Sequence, residues 1–147
     1  MKVAIFFISD IHLSGEKAEN QGLVLDAFLE DFKKQKNALN PAETYVLIGG
    51  DLVKDADAEG VYHSFYERLI RPVLAVGIKK KNIICVPGNH DAQRSWIKKN
   101  RLVYAPVISQ NFTEDSFNSF VNDENGNLLI QKFYNFSLFM ETAMERT

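Results

Sequence analysis

The chain predicts an α/β fold, a mainly parallel sheet with helical crossovers, and three observations carry that prediction. The order strand, loop, helix recurs three times, as parallel strands joined by crossover helices require. The strand candidates are short, nearly unbroken apolar runs, the pattern of strands inside a parallel sheet. Each run then passes directly into a polar cluster, at the carboxyl strand ends where open α/β sheets bind ligands.

The first run is "VAIFFI", Val3 to Ile8, rich in β-branched and aromatic residues and expected to be buried on both faces. The polar loop "SDIHLSGEKAENQG" comes next. A helix is expected after it, because Leu25, Phe28, Leu29 and Phe32 fall at i, i+3, i+4 and i+7 with lysines at the end. "TYVLI", Thr44 to Ile48, is the second strand and runs into "GGDLVKDADAEG". A second helix places Val61, Phe65 and Leu69 on one stripe with Tyr62 and Tyr66 beside it, and Pro72 and Gly77 interrupt the chain beyond it. "NIICV" is the third strand, and "SWIKKNRL" lies in a third helix.

Residues 105–147 read differently from the βα core of residues 1–104, as a helical or cap-like segment. "TEDSFNSFV" opens like a helix, with Thr113 as N-cap and acidic residues in its first turn. "DENGN" reads as a turn. Phe133, Phe136 and Met140 then fall at helical spacing, so a helix is expected there, with a hairpin strand from Leu128 as the competitor.

At 147 residues the chain has single-domain size and can bury a sizeable core. Its formal net charge of -2 supplies no basic field to draw nucleic acid. The short N-terminal apolar run lacks a small-residue cleavage site, and no stretch approaches the roughly 18 apolar residues of a membrane span. The single cysteine, Cys85, sits in an apolar run and is expected to be a small buried hydrophobe. Together these point to a cytoplasmic protein without a membrane partner.

The polar clusters contain Asp10 and His12 after the first strand, Asp51 after the second, and Asn89 and His90 after the third. Though about 40 residues apart in sequence, they can converge at one sheet edge. Carboxylates, an imidazole and an amide make a hard oxygen and nitrogen donor set, suited to Mn²⁺, Fe or Zn²⁺. Asp10 and His12 are two apart, so in an extended segment they would point the same way. A carboxylate can also bridge two cations roughly 3.5–4 Å apart.

"DIH", "GGD" and "GNHD", in this order and each after a strand, resemble the motifs of the calcineurin-like metallophosphoesterases. The resemblance implies an αββα sandwich and hydrolysis of a phosphomonoester or phosphodiester by a hydroxide bridging two divalent cations. Mn²⁺ is the first choice, with Fe, Zn²⁺ or Mg²⁺ as alternatives. It assigns Asp10 and His12 to one metal, Asp51 to both and Asn89 to the other. It places His90 near the scissile phosphate as the catalytic residue, where it stabilises charge or protonates the leaving oxygen. Gly49, Gly50 and Gly88 would permit tight turns that bring backbone close to the ions.

Departures from the family pattern matter as much. The family completes its site with three further histidines, two of them in a Gly-His-x-His motif, and none comes after His90 here. The motif resemblance ends near Gln93, and the later strands that close the sandwich are not recognisable. The expectation is therefore a truncated domain, the N-terminal part of a longer chain, poorly active alone and completed by a missing C-terminal half or a partner chain. A non-catalytic scaffold for protein assembly and a DNA or RNA nuclease of the same family are the alternatives. The family often orients its histidine with an acidic residue three after the bridging aspartate. Lys54 occupies that place with Asp55 next to it, so whether Asp55 serves is open.

Other residues read as ordinary surface or packing. His63 is expected on a solvated helix face, Lys79 to Lys81 in a solvated turn, and Arg94, Lys98, Lys99 and Arg101 on an exposed helical face. Trp96 and the stripe Phe133, Phe136, Phe139 read as packing groups.

Overall fold

β1 (Val3–Ile8) alternates its side chains between two faces, and only one face finds a partner. The computed structural model describes residues 2–14, 19–102 and 130–144, with side chains from residue 21 onward in the second stretch. β2 (Glu43–Gly49) and β3 (Ile83–Val86) complete a three-stranded sheet of order β1-β2-β3. Both pairings are parallel: Val3 faces Glu43 through Ile8 facing Ile48, and Val46 faces Ile83 through Gly49 facing Val86. This register brings the carboxyl ends of all three strands level, so the three polar clusters leave from one edge.

α1 (Glu19–Leu39) comes after β1 and lays the expected stripe on the sheet. Leu25 and Phe32 are buried, Phe28 and Leu29 partly so, and the Phe32 ring meets the Phe6 ring edge-on at 4.6 Å. After β2 the chain forms one helical rod from α2 (Val61–Phe65), a π-helical turn (Tyr66–Ile70) and α3 (Arg71–Ala75). The π turn adds a residue to the repeat. It brings Ile70 onto the buried side with Phe65 and Leu69 and carries the stripe on to Val73. Pro72, which has no N–H to donate, stands within the rod just beyond the π turn. The rod ends at Ala75, just before Gly77 at φ 87°.

α4 (Arg94–Lys99) comes after β3 and starts one residue before the expected helix. α5 (Tyr134–Ala143) settles the competition over the C-terminal aromatic stretch in favour of a helix. Phe136 and Phe139 are buried, and Phe139 packs edge-on against Phe65 at 5.8 Å. Thr113, the "DENGN" turn and the Leu128 strand start lie outside the described residues. No helix among the described residues is long and apolar enough to cross a membrane.

The expectation that β1 is buried on both faces needs correction. α1, the rod and α5 pack into one core on one side of the sheet, with Val46, Ile48, Ile83 and Cys85, and Ala4 is buried on the same side. On the other side Val3, Ile5, Phe7, Ile84 and Val86 are exposed, Phe7 at 67%. The run is apolar throughout, but among the described residues only its even-numbered side chains are covered by a layer. One sheet of the expected sandwich, with its helices, is what the described residues contain.

Candidate metal centre

The loops after β1 and β2 continue to pair beyond the strands. Asp10 N–H donates to the Gly50 carbonyl at 3.2 Å, His12 N–H to Asp51 at 2.9 Å and Leu13 N–H to Leu52 at 3.0 Å. Lys54 N–H returns a bond to Leu13 at 3.0 Å, closing a parallel bridge between Leu13 and Val53. To carry these bonds, Asp10, His12 and Asp51 take φ of 56°, 48° and 50°. The extended segment expected around Asp10 and His12 is therefore not what forms. Left-handed backbone at non-glycine residues costs on the order of 1–3 kcal/mol each and gathers at functional sites. Here it coincides with three of the candidate ligands.

Glycine is required where the β2 and β3 loops meet. Gly50 has φ 94°, and a Cβ there would lie 3.2 Å from Gly88 Cα. A Cβ on Gly88 would run into the Asp51 carboxylate and amide. Those two glycines let Asp51 sit beneath the "GNHD" turn.

His12, Asp51 and His90 offer ligand atoms that all lie within 4.8 Å of one another. His12 Nε2 stands 3.7 Å from Asp51 Oδ2 and 4.0 Å from Asp10 Oδ1. The His12 and His90 rings meet edge-on, with centroids 4.5 Å apart. Asp10 is at the margin of this group, its side chain 71% exposed and facing His12. Asn89 is exposed on the turn immediately before His90. Of the five residues singled out in the sequence, three converge tightly and two flank them.

His90 is held at two points. Its backbone N–H donates to Asp51 Oδ1 at 2.8 Å, and its Nδ1 lies 2.8 Å from the Lys54 carbonyl. A carbonyl only accepts, so Nδ1 carries the hydrogen and Nε2 is the nitrogen left for the site. The orienting group is therefore not the Asp55 carboxylate. Lys54 serves through its backbone, whereas Asp55 Oδ1 accepts the Asp57 N–H at 3.1 Å within its own turn. The Arg94 guanidinium reaches to 3.5 Å from the same ring nitrogen.

Two supporting residues escaped the sequence reading. Asp91, the last residue of "GNHD", is fully buried at 0% exposure. Its carboxylate accepts from Gly88 N–H at 2.8 Å, Leu52 N–H at 3.1 Å, Val53 N–H at 3.3 Å and Tyr62 O–H at 3.1 Å. It thus fastens the β3 loop to the β2 loop and to α2. Burial, with the Asp91 charge added, pushes the Tyr62 phenol well above its ordinary value and the Cys85 thiol up to about 12. Gln21 on α1 holds the other loop: its Oε1 accepts Ser14 N–H at 2.9 Å and its Nε2 donates to the His12 carbonyl at 2.8 Å. A carboxylate closing a strand-end motif was the visible signal for Asp91. Nothing in sequence marked Gln21, which falls in the polar part of a loop-to-helix junction.

The remaining assignments are ordinary. His63, Lys79, Lys81, Arg94, Lys98, Lys99 and Arg101 are exposed or at helix surfaces, and Cys85 is buried as expected. The His12 imidazole and the Asp51 carboxylate, with the Asp10 carboxylate adjacent, suit a divalent cation of intermediate hardness, and the His90 ring borders the same point.

The family model described as calcineurin-like phosphoesterase matches residues 3–140. The match runs well past Gln93, where the recognisable motifs stop. Neither the curated proteins nor the solved structures contain a match. A parallel sheet whose strand ends deliver His12, Asp51 and His90 to one point agrees with a match across nearly the whole sequence, and the chain belongs to the calcineurin-like phosphoesterase family.

Proposed function

We propose that the chain hydrolyses phosphoesters with two divalent cations, Mn²⁺ first among them, and that alone it does so slowly. The observation that supports this most is the convergence of His12, Asp51 and His90 within 4.8 Å at the carboxyl edge of the sheet. His12 and Asp10 would hold one cation, Asn89 the other, and the Asp51 carboxylate would be shared between them. Bound there, the cations would supply Lewis acidity toward the phosphoryl oxygens and a water activated for attack.

The protein's own part is orientation and proton transfer. Asp51 Oδ1 fixes the His90 backbone, and the Lys54 carbonyl fixes its ring through Nδ1. Nε2 is then free to face a substrate. In the protonated ring it gives its proton to the alkoxide oxygen as the P–O bond breaks, so the alcohol leaves neutral. Arg94, close to the same ring, adds positive charge beside the incoming phosphate.

The test is hydrolysis of an aryl phosphomonoester and an aryl phosphodiester with and without Mn²⁺, in the wild type, Asp51→Asn and His90→Ala. Slow, Mn²⁺-dependent turnover is expected, lost in Asp51→Asn and reduced about 10²- to 10⁴-fold in His90→Ala. Turnover that survives metal chelation or Asp51→Asn contradicts the reading. Complete absence of turnover with every divalent cation favours the scaffold alternative.

A further inference from the structure

The apolar stripe of α1 is one turn longer than the core beneath it. Gln21, Val24, Leu25 and Phe28 lie at i, i+3, i+4 and i+7, so they share a face of the helix. Leu25 is buried and Phe28 packs on the core, but Val24 is 70% exposed. That face, together with Ile8 and Ile11, lines a cavity of about 350 Å³ between α1 and the ligand-bearing loop after β1. Its size falls in the range of small-molecule sites, roughly 300–1,000 Å³.

Two polar features define what this cavity accepts. Asp10 lines it while also placing Oδ1 4.0 Å from His12 Nε2, so cavity and candidate metal centre share a wall. Gln21 also lines it, but its amide oxygen and nitrogen are both engaged by the loop, with Ser14 N–H and the His12 carbonyl. Apart from the Ser9 hydroxyl, the other described lining residues offer aliphatic and aromatic carbon. Among the described lining residues, a second phosphate or a carboxylate entering it would meet Asp10 and no cation. An apolar ring or branched chain would displace water from Val24, Leu25 and Phe28.

We propose that this cavity is the subsite for the alcohol part of the phosphoester, and that the preferred substrates carry an apolar alcohol of one or two rings. The proposal rests on the phosphoesterase reading above. The phosphate would lie at His12, Asp51 and His90, and its ester substituent would pass Asp10 into the cavity.

Binding of non-hydrolysable phosphonates to the Mn²⁺-loaded full chain, by isothermal titration calorimetry, tests it. Methylphosphonate probes the phosphate position alone, and 1-naphthylmethylphosphonate adds the apolar group. The naphthyl ligand is expected to bind about 10- to 100-fold more tightly, from the apolar surface removed from water. In Val24→Asp, and in Val24→Trp which fills the cavity instead, that affinity ratio is expected to fall to about one. Both changes are at an exposed helix position, and circular dichroism verifies the fold. Equal affinities in the wild type, or a ratio untouched by both variants, overturn the subsite and leave the phosphoesterase reading standing. Failure of both phosphonates to bind overturns that reading and the subsite with it.

Discussion

The loops that build the site are secured in two different ways. The β2 and β3 loops are locked from inside: Asp91 is buried at 0% exposure and gathers three backbone N–H groups and the Tyr62 hydroxyl. The β1 loop is held from outside, by backbone bonds to the β2 loop and by the half-buried Gln21 amide. The site residues share the character of their anchors. Asp51 is buried and His90 fixed at two points, whereas Asp10 is 71% exposed. One side of the site is preorganised by the core, and the other rests on a helix that also borders an open cavity.

Breaking the inner lock has the largest expected effect. Asp91→Ala would leave three buried donors, each costing about 1–3 kcal/mol, and the half-buried Gly88 N–H without a partner. A loss of at least about 3 kcal/mol by urea unfolding is expected, together with loss of metal binding. Tyr62→Phe removes only one of the four donors and should cost about 1 kcal/mol.

Breaking the outer clamp should separate function from stability. Gln21→Leu removes two hydrogen bonds at a half-buried site, for about 1–2 kcal/mol. Its effect on Mn²⁺ affinity is expected to be larger in kind, about 10- to 100-fold, as for residues that orient ligands. A Gln21 variant that weakens stability as much as Asp91→Ala, or leaves metal affinity unchanged, removes the distinction between the two anchors.

Cys85 reports on the inner lock without perturbing it. Burial and the Asp91 charge raise its thiol to about 12, so the native chain should label with maleimide at pH 8 far more slowly than the unfolded chain. Folding stabilises the thiol in its protonated form, so its contribution to stability is full below the ordinary thiol range. That contribution is lost as pH climbs toward 12. In Asp91→Ala the charge is gone but the burial remains, so labelling should quicken yet stay slower than in the unfolded chain.

The smallest expected effect concerns Asp57, which joins the β2 loop to α4. Partial burial raises its carboxyl, but bonds from Ser95 N–H at 2.8 Å, from Ser95 Oγ–H at 2.5 Å and from Gln93 and Arg94 outweigh it and hold it below the usual value. A lowered carboxyl stabilises the fold above the ordinary value of 3.8, and the contribution is lost as pH falls through the lowered one. Asp57→Asn should therefore flatten the acid end of the stability profile slightly, as the group is exposed and screened.

The helical layer and the strand-end placement of Asp10, His12, Asp51 and His90 were legible because each follows from a local pattern. Val61, Phe65 and Leu69, or Asp51 after "TYVLIG", need no knowledge of distant residues. What escaped depends on long-range placement. The open face of β1 was hidden because alternation inside "VAIFFI" is masked when every residue is apolar. The left-handed backbone at Asp10, His12 and Asp51 arises only when two loops pair, and sequence shows no glycine there to announce it. Asp91 reads as one more polar residue of a turn until Leu52, Val53 and Tyr62 are seen around it. The orienting group for His90 was beyond side-chain pattern altogether, being the carbonyl of Lys54.

The most direct test of a metal centre at these strand ends is Mn²⁺ binding to the full chain, measured by the loss of the free-ion electron paramagnetic resonance signal. The wild type is expected to take up Mn²⁺, with affinity reduced about tenfold or more in Asp51→Asn and in His12→Ala, while both variants remain folded. Binding of equal strength in all three proteins, or no binding in the wild type, would contradict it.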